Sequence, residues 1–169
     1  STGGAGIKPE MSNNINKATF NPANGLIVAR RNYCTMERSA SGQEDFPFQI
    51  ETMGLLMEEN ILSDATRGIA SFDEFRNNVV RNNVFEFMDL YGIYLDANES
   101  GQDKTGNTIE NNTITRDGRS MTEGILFFDW DNSPSGMFAF DNGLIVRDNK
   151  IVDALTTPIV TTPQIDAYV

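Results

Sequence analysis

The 169-residue sequence predicts an all-β solenoid, because one short unit recurs along most of the chain. Each copy contains a short alternating run, a corner that ends in asparagine, a second short run and a variable loop. A third run, which begins with Gly-Ile or Pro-Ile, closes the unit. The clearest copy spans residues 106–128 (GNTIENNTITRDGRSMTEGILFF), and others span 54–72, 77–95 and 143–161, with a looser copy that begins at Gly25.

The corner asparagines align the copies with one another. Their intervals are 28, 23, 29 and 37 residues, so the length varies in the loops while the short runs keep their size. Asparagine tolerates the left-handed backbone conformation that a sharp turn requires, and its amide can hydrogen-bond to the asparagine of the next coil. We therefore predict a structural corner ladder formed by Asn32, Asn60, Asn83, Asn112 and Asn149.

Each coil is predicted to hold three short strands, because apolar residues alternate with polar ones in each run. In the clearest copy the strands are residues 108–111, 113–115 and 124–128. The alternation directs four side chains toward one interior, namely Ile109, Ile114, Ile125 and Phe127. Strands that pair with the next coil are parallel, in register and about 4.8 Å apart.

These runs predict a solenoid of about five coils over residues 25–162. Residues 1–24 are rich in Gly, Asn and Pro, and we expect them to form an extended N-terminal arm or cap that covers the open end of the first coil. Residues 163–169 are expected to form a C-terminal tail or linker.

Composition excludes several functional classes. The formal charge of -11 disfavours nucleic acid as a partner, and no apolar run approaches the length of about 18 residues that membrane insertion requires. The chain has no histidine, which removes Ser-His and Cys-His catalysis and His-ligated zinc. Cys34 is the single cysteine, so it cannot form an intrachain disulfide, and we interpret it as a buried small hydrophobic residue.

The repeat resembles that of the right-handed parallel β-helix superfamily, which includes pectate lyases, mannuronan epimerases, phage tailspike depolymerases and surface proteins. Residues 106–114 (GNTIENNTI) are close to the repeat consensus of that superfamily. The resemblance covers most of the chain and implies a right-handed parallel β-helix. It also implies an extracellular, cell-surface or virion-associated protein that engages polysaccharide, although one fold hosts many functions.

Acidic residues follow the Gly-Ile strands of three successive coils. Asp73, Asp96 and Asp129 are expected to stack at the end of one sheet, where calcium could lie between their carboxylates. In the lyases that the repeat resembles, such a calcium ion acidifies the α-proton of a uronate, and an Arg or Lys removes that proton. The alternative interpretation is that these acids cap turns.

Aromatic and polar residues accompany these acids. Exposed aromatic rings can stack on the C–H faces of sugars, or they can pack a loop onto the wall of the solenoid. The candidate carbohydrate-binding residues are Tyr94, Glu99, Trp130, Asp131 and Phe138, and Tyr91 is expected beside the same face.

Two functional hypotheses follow from the sequence. The first is a β-helix that binds polysaccharide, or cleaves it as a lyase or depolymerase, although no recognisable lyase or epimerase motif is present. The second is a structural subunit of a fibre, filament or surface layer that self-associates, or adjoins other domains, through its coil ends and terminal arms. A hydrolase that pairs Asp96 with Asp129 is a weaker hypothesis, since its carboxyl groups would need a separation of about 5–9.5 Å.

Overall fold

The computed structural model describes residues 5–7, 27–35, 46–50, 52–72, 75–96, 105–115, 121, 123–128, 143–152 and 159–160. Within these ranges the chain forms eighteen short strands and no helix. Every pairing between the strands is parallel, which confirms the all-β solenoid.

Three parallel sheets run along the length of the solenoid. The first sheet contains β2 (Ile27–Arg30), β6 (Leu55–Glu58), β10 (Val79–Arg81), β13 (Thr108–Glu110) and β16 (Ile145–Arg147). The second contains β3 (Tyr33–Thr35), β7 (Ile61–Ser63), β11 (Val84–Glu86), β14 (Thr113–Thr115) and β17 (Lys150–Val152). The third contains β1 (Ala5–Ile7), β4 (Phe46–Gln49), β8 (Arg67–Ser71), β12 (Tyr91–Asp96), β15 (Glu123–Phe128) and β18 (Ile159–Val160). A further short pair joins β5 (Thr52–Met53) to β9 (Phe75–Arg76).

Successive coils are in register, so equivalent residues form columns along the solenoid. Met57, Val80 and Ile109 form one such column in the first sheet, and their side chains are fully buried. The inward residues predicted for the clearest copy all belong to the hydrophobic core, which confirms the predicted alternation: Ile109, Ile114, Ile125 and Phe127. Each core position therefore packs against the same kind of position in the coils before and after it.

The Gly-Ile motif places a glycine where two sheets come close together. A Cβ atom at Gly92 would lie 2.5 Å from Cγ2 of Ile114 and 2.8 Å from the carbonyl oxygen of Gly124. Real Cβ atoms do not approach other atoms this closely, so glycine lets the third-sheet strand pack against the second sheet. The repeated Gly-Ile therefore has a steric cause.

The corners correct one detail of the prediction. In every corner the left-handed residue is the one before the ladder asparagine, with φ values of 56, 56, 55, 54 and 56° at Arg31, Glu59, Asn82, Asn111 and Asp148. The interpretation that the ladder asparagines themselves adopt this conformation is wrong. Their backbone N–H groups donate to the next asparagine side chain along the stack, and the preceding residue makes the turn.

The two ends of the chain are described only in part. Residues 5–7, within the segment expected to be an arm, form β1 and pair with β4 as the outermost strand of the third sheet. The predicted tail at 163–169 lies outside the described residues. In the first coil, Cys34 is partly buried against the core, and burial raises the pKa of its thiol.

Candidate functional site

The outer surface of the third sheet carries a cluster of aromatic and charged side chains. In register, Tyr91 of β12 lies beside Arg67 of β8, and Tyr94 lies beside Ala70. Alanine leaves room on this surface, so the long arginine side chain can extend over the ring of Tyr94. We name this cluster the third-sheet face; it consists of Phe46, Arg67, Phe72, Tyr91, Tyr94 and Asp96.

Arg67 is the cation of the third-sheet face. Its Cζ atom lies 4.1 Å from the ring centroid of Tyr94 and 5.6 Å from that of Tyr91. The Phe72 ring is 5.7 Å away. Arg67 is only 6% exposed, and cation–π attraction strengthens when the cation is removed from water. The guanidinium therefore fixes the positions of three rings at once.

A hydrogen bond joins Tyr94 to the carboxylate of Asp96. The Tyr94 hydroxyl donates to Oδ2 of Asp96 over 3.0 Å, and the two residues are 5% and 2% exposed. Burial raises the pKa of Tyr94 well above its usual range, and the negative charge of Asp96 raises it further. The hydroxyl therefore stays protonated and remains a donor at neutral pH.

Two of the aromatic rings reach the surface. Tyr91 stacks on Tyr94 with centroids 5.3 Å apart and an interplanar angle of 26°, and Tyr91 is partly exposed. Phe72, also partly exposed, lies 5.9 Å from Tyr94 and 5.7 Å from Phe46. The third-sheet face thus has a buried polar base and a partly exposed aromatic rim.

The structure brings together two of the predicted site residues, Tyr94 and Asp96, with Tyr91 beside them. The remaining members of the predicted carboxylate column and carbohydrate site lie outside the described residues: Asp73, Glu99, Asp129, Trp130, Asp131 and Phe138. Within the described ranges, no group of three or more acids or cysteines could hold a metal ion. The calcium site stays a prediction.

Sequence reasoning missed Arg67, Phe46 and Phe72. A signal for Arg67 is present, because it directly precedes the Gly-Ile of β8, as Tyr91 directly precedes that of β12. Reading this position across the coils would have placed the arginine beside the tyrosine. Phe46 begins β4 directly after a stretch of sequence that has no counterpart in the other copies, so no repeat position marks it.

The five predicted corner asparagines form a continuous hydrogen-bonded ladder. Oδ1 of Asn83, for example, accepts from the backbone N–H of Asn60 over 3.0 Å and from its Nδ2 over 2.9 Å. Nδ2 of Asn83 in turn donates to Oδ1 of Asn112 and to the carbonyl oxygen of Met57, each over 3.0 Å. Every donor and acceptor of this buried amide is therefore engaged.

A second, shorter asparagine ladder lies one corner earlier and was also missed. Oδ1 of Asn107 accepts from the N–H of Asn78 over 3.0 Å, and Oδ1 of Asn78 accepts from the N–H of Leu55 over 2.8 Å. The Asn-Asn pair at 77–78 and the Gly-Asn pair at 106–107 were its signal. In both pairs the first residue has positive φ, as at the main corner.

A column of alternating charge runs beside the corner ladder. In register, its members are Arg30, Glu58, Arg81, Glu110 and Arg147. Glu58 forms ion pairs with the arginines on both sides, including one of 2.8 Å to Nε of Arg81. The hydrogen bond from Arg81 lowers the pKa of Glu58, and Arg30 contributes in the same direction. Because neighbouring coils carry opposite charges at this position, the side chains attract each other, whereas identical charges would repel.

Comparison with known families agrees with this architecture. The sequence model of a family described as right handed beta helix region matches residues 3–162. The chain belongs to this right-handed beta helix family. The match begins just before β1, within the segment expected to be an arm, and it ends with the last coil. No curated protein and no solved structure matches this beta-helix chain. None of the residues that the structure describes lies in a helix able to cross a membrane.

Proposed function

We propose that this right-handed beta helix protein binds a neutral or acidic polysaccharide along its third-sheet face. The observation that supports the proposal most directly is the partly exposed pair of rings, Phe72 and Tyr91, held around buried Arg67 and Tyr94. Aromatic rings offer flat apolar surfaces to the C–H faces of sugars at little entropic cost. A solenoid also supports an elongated ligand, because its outer surfaces are extended.

Each residue of the third-sheet face has a distinct role in this proposal. Tyr91 and Phe72 contact the sugar rings. Arg67 orients both aromatic rings and supplies positive charge in an otherwise acidic protein, which favours a carboxylated sugar. Tyr94 and Asp96 form the hydrogen-bonded base that holds Arg67 and Tyr91 in place.

Binding is tested on a glycan array and then by calorimetry with the polymers that bind. We expect Tyr91→Ala to weaken binding about tenfold, by analogy with the stacking of nucleic-acid bases on aromatic side chains, which contributes about 1–3 kcal/mol per base. Tyr33→Ala is the matched control, because Tyr33 is 67% exposed but lies on the second sheet. Equal losses in both variants, or no binding to any polymer, would overturn the proposal.

Calcium, cleavage and location are further parts of this proposal. The carboxylate of Asp96 offers oxygen ligands of the kind that calcium prefers, although its Oδ2 already accepts from Tyr94. The array is therefore run with calcium and with chelator, and the bound polymers are assayed for the unsaturated ends that a lyase leaves. A polysaccharide ligand would place the protein outside the cell, at a cell surface or on a virion.

Assembly through the coil ends is a second candidate function. The observation that favours it is the exposure of large apolar side chains in the terminal coils: Ile27 and Val28 in the first, and Ile145 in the last, are 42%, 52% and 46% exposed. Light scattering over a range of concentrations tests self-association. A monodisperse monomer at the highest concentration would remove self-assembly but would leave polysaccharide binding untouched.

A further inference from the structure

The corner of every coil follows one rule that sequence reasoning did not extract. Each corner reads apolar, charged, any residue, asparagine, any residue, apolar. The charged position alternates between arginine in the first, third and fifth coils and glutamate in the second and fourth. The five copies are ARRNYC at 29–34, MEENIL at 57–62, VRNNVF at 80–85, IENNTI at 109–114 and VRDNKI at 146–151.

The asparagine ladder has a direction. Each of the first four asparagines donates its backbone N–H and one Nδ2 hydrogen to Oδ1 of the asparagine in the following coil, as Asn112 does to Asn149 over 3.0 and 2.9 Å. Asn149 donates from Nδ2 backward to the carbonyl oxygen of Ile109 over 2.9 Å. Among the described residues, the N–H of Asn149 has no acceptor. The last coil therefore presents amide donors toward the position of a further coil.

Arg147 presents its charge at the same edge. It forms an ion pair with Glu110 of the preceding coil, with 2.6 Å between Nη2 and Oε2, while its side chain remains 60% exposed. Glu58, in the interior of the stack, shows that one member of this column can bind opposite charges on both sides. The following position in the alternation would hold a carboxylate.

One inward apolar position of the last coil, Ile151, is incompletely covered. Ile109 and Ile114 are fully buried, whereas Ile151, in register with Ile114, is only partly buried and packs on the core from one side. In β16 the inward residue is Val146, which is 4% exposed, whereas Ile145 faces outward. Among the strands that the structure describes, β16 and β17 are outermost in their sheets, and such edge strands can accept a further parallel strand.

We propose that the edge formed by β16 and β17 binds a polypeptide segment of the type apolar-acid-x-Asn-x-apolar. The segment adds one strand to each sheet by β-augmentation, its acid pairs with Arg147, and its asparagine accepts from Asn149. Its second apolar residue covers the partly buried Ile151, and its first continues the inward column to which Val146 belongs. A second copy of this chain fits poorly, because its first-coil corner carries Arg30 where the acid is needed. The inferred partner is therefore a different polypeptide, and its docking depends neither on self-association nor on polysaccharide binding.

A pair of peptides tests this proposal on the full chain. The first has the sequence of residues 105–115 (TGNTIENNTIT), which the chain itself uses as an acid-bearing coil, and the second carries Glu110→Arg. Nitrogen-labelled protein is titrated with each peptide to millimolar concentration, and the amide signals of residues 145–152 are followed by NMR. We expect the glutamate peptide to bind about tenfold more tightly than the arginine peptide, because like charges facing each other are disfavoured.

Two protein variants separate this charge-specific docking from general attraction. Arg147→Glu should reverse the preference between the peptides. Lys150→Glu makes the same change of charge on β17 but outside the alternating column, and should keep the preference for the glutamate peptide. Equal binding of the two peptides, a reversal by Lys150→Glu, or no change in the amide signals at millimolar peptide would each overturn the proposal. None of these outcomes bears on polysaccharide binding, and light scattering reports self-assembly separately.

Discussion

The corner ladder and the third-sheet face use the same stacked coils in opposite ways. At the corner, every coil supplies an asparagine, and the amides of the three inner coils bond to identical amides before and after them. On the third-sheet face the columns are heterogeneous: Tyr94 lies in register with Ala70 on one side and Leu126 on the other. A residue that recurs in every coil stabilises the scaffold, whereas a residue that changes from coil to coil creates a local chemical site.

The charge column shows why the same residue does not recur at every polar position of the coils. An amide carries both donors and an acceptor, so identical amides can bond head to tail along the stack. Charged groups have no such complementarity, and like charges in adjacent parallel coils would repel. Alternation of arginine and glutamate solves this problem in the first sheet. On the third-sheet face, a single arginine is instead stabilised by aromatic rings.

The largest effect is expected in the ladder. Asn83→Ala removes the acceptor of the Asn60 N–H and the donor to the Met57 carbonyl, both of which lie in the buried interior. Each buried group left without a partner costs about 1–3 kcal/mol, so we expect a loss of about 3–5 kcal/mol in the free energy of unfolding. Denaturant titration followed by circular dichroism measures this loss.

Asn82 provides the matched control for that change. It is the adjacent asparagine, but it is exposed and has a φ of 55°, so its role is conformational. Glycine adopts this conformation readily, and Asn82→Gly should change the free energy of unfolding by no more than about 1 kcal/mol. If the two substitutions cost the same, the ladder does not stabilise the solenoid in the way described.

The fold was largely predictable because stacking imposes visible constraints on the sequence. Corner asparagines, Gly-Ile strands and alternating apolar residues each have a steric or hydrogen-bonding cause in every coil. The charge column was missed because it alternates, and a search for one residue type at equivalent positions does not reveal it. The third-sheet face was only partly predictable, since Phe46 borders an insertion and no repeat marks it. Phe72 closes the Gly-Ile run GIASF as Phe128 closes GILFF, so a signal for Phe72 was present.

A smaller effect is expected on the third-sheet face. Tyr94→Phe keeps the stacked ring and removes the donor to Oδ2 of the buried Asp96 carboxylate. Because a hydrogen bond to a charged group contributes about 1.5–3 kcal/mol, we expect the free energy of unfolding to fall by about 2 kcal/mol. Thermal and denaturant unfolding of the variant measure this change.

Tyr91→Phe is the corresponding control, because the Tyr91 hydroxyl forms no hydrogen bond with the described residues. That variant should stay within about 0.5 kcal/mol of the wild-type free energy of unfolding. Comparing the two variants shows how much the Tyr94 hydroxyl in the buried base and the Tyr91 hydroxyl in the aromatic rim each contribute to the free energy of unfolding. A loss in Tyr91→Phe as large as that in Tyr94→Phe would contradict the assignment of Tyr94 and Asp96 to the base.

The smallest effect is expected from the charge column, and it should depend on pH. The pKa of Glu58 is lowered in the folded chain, chiefly by the hydrogen bond from Arg81, so the unfolded chain takes up the proton first as pH falls. The stabilisation is therefore complete above the ordinary value of 4.5 and is lost as pH falls through the folded pKa. Glu58→Gln should unfold more easily than wild type at neutral pH, and the difference should shrink steadily below about pH 4.5.

Because its arginine partners are 46% and 40% exposed, salt should also reduce the difference at neutral pH. If the difference in the free energy of unfolding between wild type and Glu58→Gln stayed constant with pH and salt, Glu58 would act through packing. The charge column would then stabilise the solenoid by side-chain contact and not by electrostatic pairing.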